Sequence, residues 1–206
     1  VRQIIERSDE LEAVFDEKDV HIACLGGGPG SDFLGILKYL LRTKKKTEVT
    51  CYLLDRERAW NDSWSDVARL MTAEAARFFP SFAQMDAADP ATYRSYRRLK
   101  KCDLFTLSYF MSEMWKYRAK VEPFFEHCFA EAKSGAMVLY IDNKDADFRG
   151  WFDGLAAKHG LKLLEKRSTE LTWEVAEEKT DLGKYFDKFG WPKRKSQVDI
   201  RVARKT

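Results

Sequence analysis

The chain has 206 residues, 45% of them hydrophobic and 14% aromatic, with a formal net charge of +3. That apolar content can bury one sizeable core, so a single domain spanning 1–206 is expected and a disordered or collagen-like chain is excluded. The charge excess is too small to diagnose a nucleic-acid binder, no apolar run approaches the ~20 residues of a membrane span, and no secretory leader opens the chain, so an intracellular, cytoplasmic or nuclear protein is expected.

The chain opens at Val1 directly in a helical pattern and without methionine, as a domain excised from a longer protein would. A helix is predicted from about Ser8 to Phe15, capped by Ser8, with Leu11, Val14 and Phe15 on one face. A strand follows from Val20 and runs into Gly26-Gly27-Gly28-Pro29-Gly30, after which Phe33 to Leu41 reads as helix. Glycines let a backbone pass close to a ligand and accept positive φ. A phosphate-cradling loop needs Gly-Lys-Ser/Thr at the helix start, and here Gly35 is followed by Ile36 and Leu37. A dinucleotide fingerprint needs a third glycine where Ser31 stands, and the adjacent Asp32 would repel a pyrophosphate at the helix N-terminus.

The second strand, Glu48 to Leu54, ends on Asp55, about twenty-five residues past the glycines, near the spacing at which an acid accepts from ribose hydroxyls. A long amphipathic stretch with Trp60, Trp64, Val67, Ala68 and Met71 is predicted as helix up to about Phe79, its tryptophans in the core. A short third strand, Phe82 to Asp86, precedes a basic helix over Pro90 to Lys101. Strand four covers Cys102 to Phe110, Met114 to Lys133 is helical with Pro123 at a start or kink, and strand five is Ala136 to Asp142. A helix over Phe148 to His159, a sixth strand within Leu161 to Val175 and a final alternating strand, Gln197 to Ala203, complete the pattern. Such alternation predicts an α/β Rossmann-like three-layer sandwich, a mostly parallel seven-stranded sheet whose last strand is antiparallel. Ligands in these sheets bind beyond the carboxyl ends of the strands.

Cys24, Cys51, Cys102 and Cys128 are widely spaced and read as reduced core thiols, and neither they nor His21, His127 and His159 show metal-ligand spacing. No metal is expected.

Taken in order, the Gly26-x-Gly28-x-Gly30 loop, the acid Asp55, the strand ending on Asp86 and the stretch Ser108-Tyr109-Phe110 resemble the class I S-adenosylmethionine-dependent methyltransferases. The resemblance implies S-adenosyl-L-methionine as cofactor, held by Gly26, Gly28, Gly30, Asp32, Asp55, Arg56, Asp86 and Ser108. Asp86 would receive the adenine amino group. It further implies direct in-line methyl transfer near the end of strand four, where Ser108, Tyr109 and Glu113 are the catalytic candidates and Phe110 and Asn143 the acceptor-side ones. Glu113 would act as base or orient an amine, and Tyr109 or Phe110 would stack a planar acceptor, although core packing and helix capping explain the same residues. The Asn/Asp-Pro-Pro-aromatic signature of amino-methylating nucleic-acid enzymes is absent, and Cys102 lies at the wrong end of strand four for a cytosine-C5 nucleophile.

Lys184 to Lys195 mixes cations with Tyr185, Phe186, Phe189 and Trp191. Trp191, Lys193 and Arg194, joined by Arg94, Arg97, Arg98, Lys100 and Lys101, suggest an RNA-binding surface, while a loop pinned by aromatics among solvated lysines is the competing explanation. RNA is therefore the leading acceptor, with a small-molecule amine or hydroxyl and a noncatalytic methyltransferase-like binding module as alternatives.

Overall fold

A computed structural model describes residues 1–69, 77–172 and 195–206. Seven strands form one sheet: β1 (Asp19–Leu25), β2 (Glu48–Asp55), β3 (Phe78–Gln84), β4 (Leu104–Ser108), β5 (Met137–Asn143), β6 (Leu161–Thr172) and β7 (Lys195–Lys205). Their order is β3-β2-β1-β4-β5-β7-β6. Strands β1 to β5 pair in parallel, and β7 lies antiparallel between β5 and β6, as the alternating C-terminal pattern led us to expect. Chain order reverses where β1 meets β4, which opens a crevice at the carboxyl ends of the central strands.

Period-two alternation decides which side chain enters which layer. Ala23, Leu25, Phe105, Leu107, Val138 and Tyr140 point into one core. It is closed by Phe124, Phe125 and Phe129 of α7 (Arg118–Glu131) and Phe152 of α8 (Ala146–Lys158). Ile22, Cys24, Leu53, Leu104, Leu139 and Ile141 point the other way. They meet α1 (Arg2–Ile5), α2 (Asp9–Val14) and α3 (Ser31–Thr43), with Trp64 of α4 (Ala59–Arg69). In α3 the buried set Phe33, Ile36, Leu37, Tyr39 and Leu40 follows helical spacing. Ser8 caps α2 as predicted, its hydroxyl accepting from Leu11 N–H at 3.3 Å. All four cysteines are free and buried, with the Cys24 and Cys51 sulfurs 3.5 Å apart.

Three local expectations are corrected. Phe78 and Phe79 belong to β3 and not to the helix after Asp55, and Pro80 sits inside that strand opposite Cys51. β3 is an edge strand, where a residue without an N–H is tolerated. The predicted helix over Pro90 to Lys101 is a four-residue α5 (Pro90–Tyr93) followed by a 3-10 turn, Arg97–Lys101. Tyr93, Tyr96 and Leu99 recur every third residue, the period of the tighter helix. The boundary between strand four and the helix expected over Met114 to Lys133 is redrawn: Phe110 opens α6 (Phe110–Met114) instead of ending the strand, and a 3-10 turn at Trp115–Tyr117 precedes α7, which carries Pro123 in its interior.

Candidate active site

A cleft of about 810 Å³ opens at the reversal point, between the glycine loop and the ends of β2, β4 and β5. The loop is fastened to β2: Gly26 and Gly27 N–H donate to Leu54 O at 2.9 and 3.1 Å. Gly26 has φ +65°, and a Cβ there would stand 2.3 Å from the Phe110 ring. No side chain fits. Gly28 has φ +46°, and a Cβ would project between the Asp55 carboxylate and the Trp60 indole nitrogen, each 3.9 Å away, on the wall of the cleft. Gly30, also left-handed, precedes α3 as its N-cap.

Asp55 links the loop to the start of α4. Its Oδ2 accepts from Gly28 N–H and its Oδ1 from Glu57 N–H, both at 2.9 Å. Each oxygen retains acceptor capacity for a further hydroxyl. Asp32, in the first turn of α3, is buried and accepts from the Thr106 hydroxyl at 2.6 Å. Asp86 lies in the turn after β3, where its Oδ1 accepts from Ala88 N–H at 2.8 Å. Arg56 lines the mouth beside Asp55. The structure thus brings Gly26, Gly28, Asp32, Asp55, Arg56 and Asp86 to one cleft.

On the opposite wall stand Ser108, Tyr109, Phe110 and Glu113. The Ser108 hydroxyl is buried and has no protein partner. Tyr109 adopts φ +59°, and its hydroxyl lies 3.0 Å from Ser196 Oγ, so it ties the β4–α6 turn to β7. Phe110 is 7% exposed and packs edge-to-face on Phe124 and Phe125, forming the floor beneath Gly26 and not a free stacking platform. Glu113 lines the cleft, and burial together with the charges of Asp55 and Asp142 pushes its carboxyl above the usual range.

Other candidates are not brought there. Asn143 is exposed and borders a separate depression with Lys144, Glu170, Lys195 and Gln197, because it lies beyond the last buried residue of β5. The basic turn Arg97–Lys101 leads into the amino end of β4, on the rim opposite the cleft. There Arg98 stacks over Tyr52 at 5.3 Å and Lys100 pairs with Glu131 at 3.2 Å. Trp191, Lys193 and Arg194 lie outside the described residues. Trp60, expected in the core, instead lines the cleft; it occupies the first turn of α4, directly after Asp55, which is the signal that would have placed it. Among the described residues no group of three His, Cys, Asp or Glu is placed to hold a metal ion, and no helix is long and apolar enough to cross a membrane.

No family model matches the chain, and no curated protein sequence matches it. Solved structures do. An S-adenosylmethionine-dependent methyltransferase from Methanosarcina mazei superposes with a TM-score of 0.59 at 12% identity, over 92% of this chain and 93% of its own. A Pyrococcus horikoshii protein provisionally assigned as an RNA methyltransferase gives 0.55 at 15% identity, over 96% and 82%. The N-methyltransferase NodS of Bradyrhizobium japonicum gives 0.53 at 11%, over 98% and 96%. The chain has the fold of the class I S-adenosylmethionine-dependent methyltransferases.

Proposed function

We propose that this chain, built on the class I methyltransferase fold, binds S-adenosyl-L-methionine in the 810 Å³ cleft and transfers its methyl group to an amine. The observation that carries this reading is the charge of the lining. Asp32, Asp55, Glu57, Asp86 and Glu113 face one basic side chain, Arg56, among the described lining residues. A wall of that sign repels phosphates and attracts a ligand bearing a sulfonium and an ammonium against one carboxylate. The orphaned Ser108 hydroxyl and the bare Gly28 backbone are the further places where a polar ligand fits.

When bound, the cofactor supplies an electrophilic methyl on sulfur. Asp55 offers acceptors to vicinal hydroxyls, and its bond to Gly28 N–H keeps the loop open for an amino-acid tail. Asp32, held by Thr106, places a negative charge in the same cleft without a flexible side chain. Phe110 closes the floor against water. Glu113 takes the proton that the acceptor nitrogen must lose, and its raised carboxyl pKa suits it to that role better than an ordinary surface acid.

Arg97 to Lys101 lend the RNA reading no support, because they sit on the far rim. NodS, an N-methyltransferase by name, shares the fold and accords with an amine acceptor. Incubating the protein with methyl-labelled cofactor and fractionated cell extract tests both. Label in an amine or a protein side chain supports the proposal, label in RNA replaces the acceptor class, and no cofactor binding by calorimetry removes the enzymatic reading altogether.

A further inference from the structure

Asp142, the penultimate residue of β5, is fully buried. A carboxylate in that position is costly unless donors surround it. Its Oδ2 accepts from Ser112 N–H at 2.9 Å and its Oδ1 from Asn143 N–H at 2.8 Å. The Ser112 donor belongs to α6, a five-residue helix that follows a left-handed Tyr109 and has no side-chain cap of its own. The first N–H groups of any helix lack intrahelical partners. In α6 the missing acceptor comes from the neighbouring strand.

Glu113 is the next residue after Ser112 and stands in the wall of the cleft. The turn that leads to it is fastened at other points, since Tyr109 N–H donates to Ile141 O at 2.8 Å and the Tyr109 hydroxyl meets Ser196. Within the helix itself Phe110 and Met111 are buried in the core, and Asp142 supplies a polar attachment. We propose that Asp142 is a positioning residue, capping α6 from the adjacent strand and so holding Glu113 at the acceptor side of the cleft. The proposal rests on the cofactor-site reading above. The charged groups facing Glu113 are Asp142 of β5 and Asp55 of β2, with Asp32, Arg56, Glu57 and Asp86 farther around the lining.

Two nucleoside probes read the position without an acceptor or turnover. Sinefungin carries an amine in place of the sulfonium methyl, whereas S-adenosylhomocysteine carries nothing there. By calorimetry, Asp142→Asn is expected to weaken sinefungin about tenfold and S-adenosylhomocysteine less than about twofold. Glu113→Gln should do the same, and the double variant should be no weaker than Glu113→Gln alone, because the two residues act in series. Equal losses for both probes, no loss for either, or additive losses in the double variant would overturn the proposal. Two ligand-free measurements separate its failure from that of the cofactor reading. In Asp142→Asn the Ser112 amide resonance should move to higher field and the titration midpoint of the Glu113 carboxyl should fall, as a neighbouring negative charge is removed. If wild-type protein binds neither nucleoside, the cofactor reading is wrong and these two signals still judge Asp142; if they do not move, Asp142 does not position Glu113.

Discussion

Two charged clusters sit at opposite ends of this sheet's central strands. At the carboxyl ends of the strands, Asp32, Asp55, Asp86 and Glu113 converge on a cleft, whereas at the amino end of β4 the chain presents Arg97, Arg98, Lys100 and Lys101. The topology sets Arg97 to Lys101 on the rim away from that cleft. A cation cluster near a site in sequence says little until the strand direction assigns it to one end of the sheet, and here the acidic residues are the ones that line the cleft.

The largest effect expected at the acidic rim comes from Gly26→Ala. A methyl 2.3 Å from the Phe110 ring, on a backbone at φ +65°, forces the loop away from α6. We expect a loss of about 3 kcal/mol in denaturant unfolding and no measurable binding of S-adenosylhomocysteine. Asp55→Ala should retain its fold yet weaken the same ligand about a hundredfold in calorimetry, since it removes both an acceptor and the anchor of the Gly28 amide. Unchanged affinity would show that the cofactor does not lie along β2.

A smaller effect is expected from Glu113→Gln. The wild-type carboxyl is held above its ordinary value of 4.5 by burial and by Asp55 and Asp142. A raised acid favours the folded state most when protonated, so wild-type stability declines as pH climbs from 4.5 through the folded-state value. Melting curves should therefore coincide for variant and wild type below 4.5 and separate above it, with the glutamine protein the more stable. At the other rim, Lys100→Glu together with Lys101→Glu should change ligand affinity less than about twofold in ordinary salt, because the screening length is about 8 Å. A large change would show that the two rims are coupled.

Much of this fold was legible because its signals are local. The apolar runs of β1, β4 and β5, the Ser8 cap and the glycine loop each depend on adjacent residues, and all stand close to where expected. What escaped notice depends on partners distant in sequence. Pro80 looks like a helix terminator until β3 is known to be an edge, and the helix after Asp55 was therefore carried too far. Trp60 looks like core because Trp64, four residues on, is core; only the position of α4's first turn against Gly28 puts it on the cleft. Tyr109 resembles a stacking residue, but its hydroxyl is engaged by Ser196 from β7. Asn143 and Asp142 are neighbours with opposite fates, one exposed and one sealed, because the buried run of β5 ends between them. Asp55 and Ser108 were recognisable because they end strands, and the glycine loop because it follows one; the acceptor side was less so because it is assembled from β4, β5, α6 and β7 together.

The four sealed thiols give the molecule a built-in reporter. Cys24, Cys51, Cys102 and Cys128 are shut away from solvent in both cores, and desolvation keeps Cys51, Cys102 and Cys128 strongly protonated. An alkylating reagent therefore meets no reactive sulfur in the native state, and modification waits on opening of the sheet layers. Labelling rates followed by mass spectrometry would compare the breathing of the two layers directly, Cys24 and Cys51 reporting for one and Cys102 and Cys128 for the other, without any engineered probe.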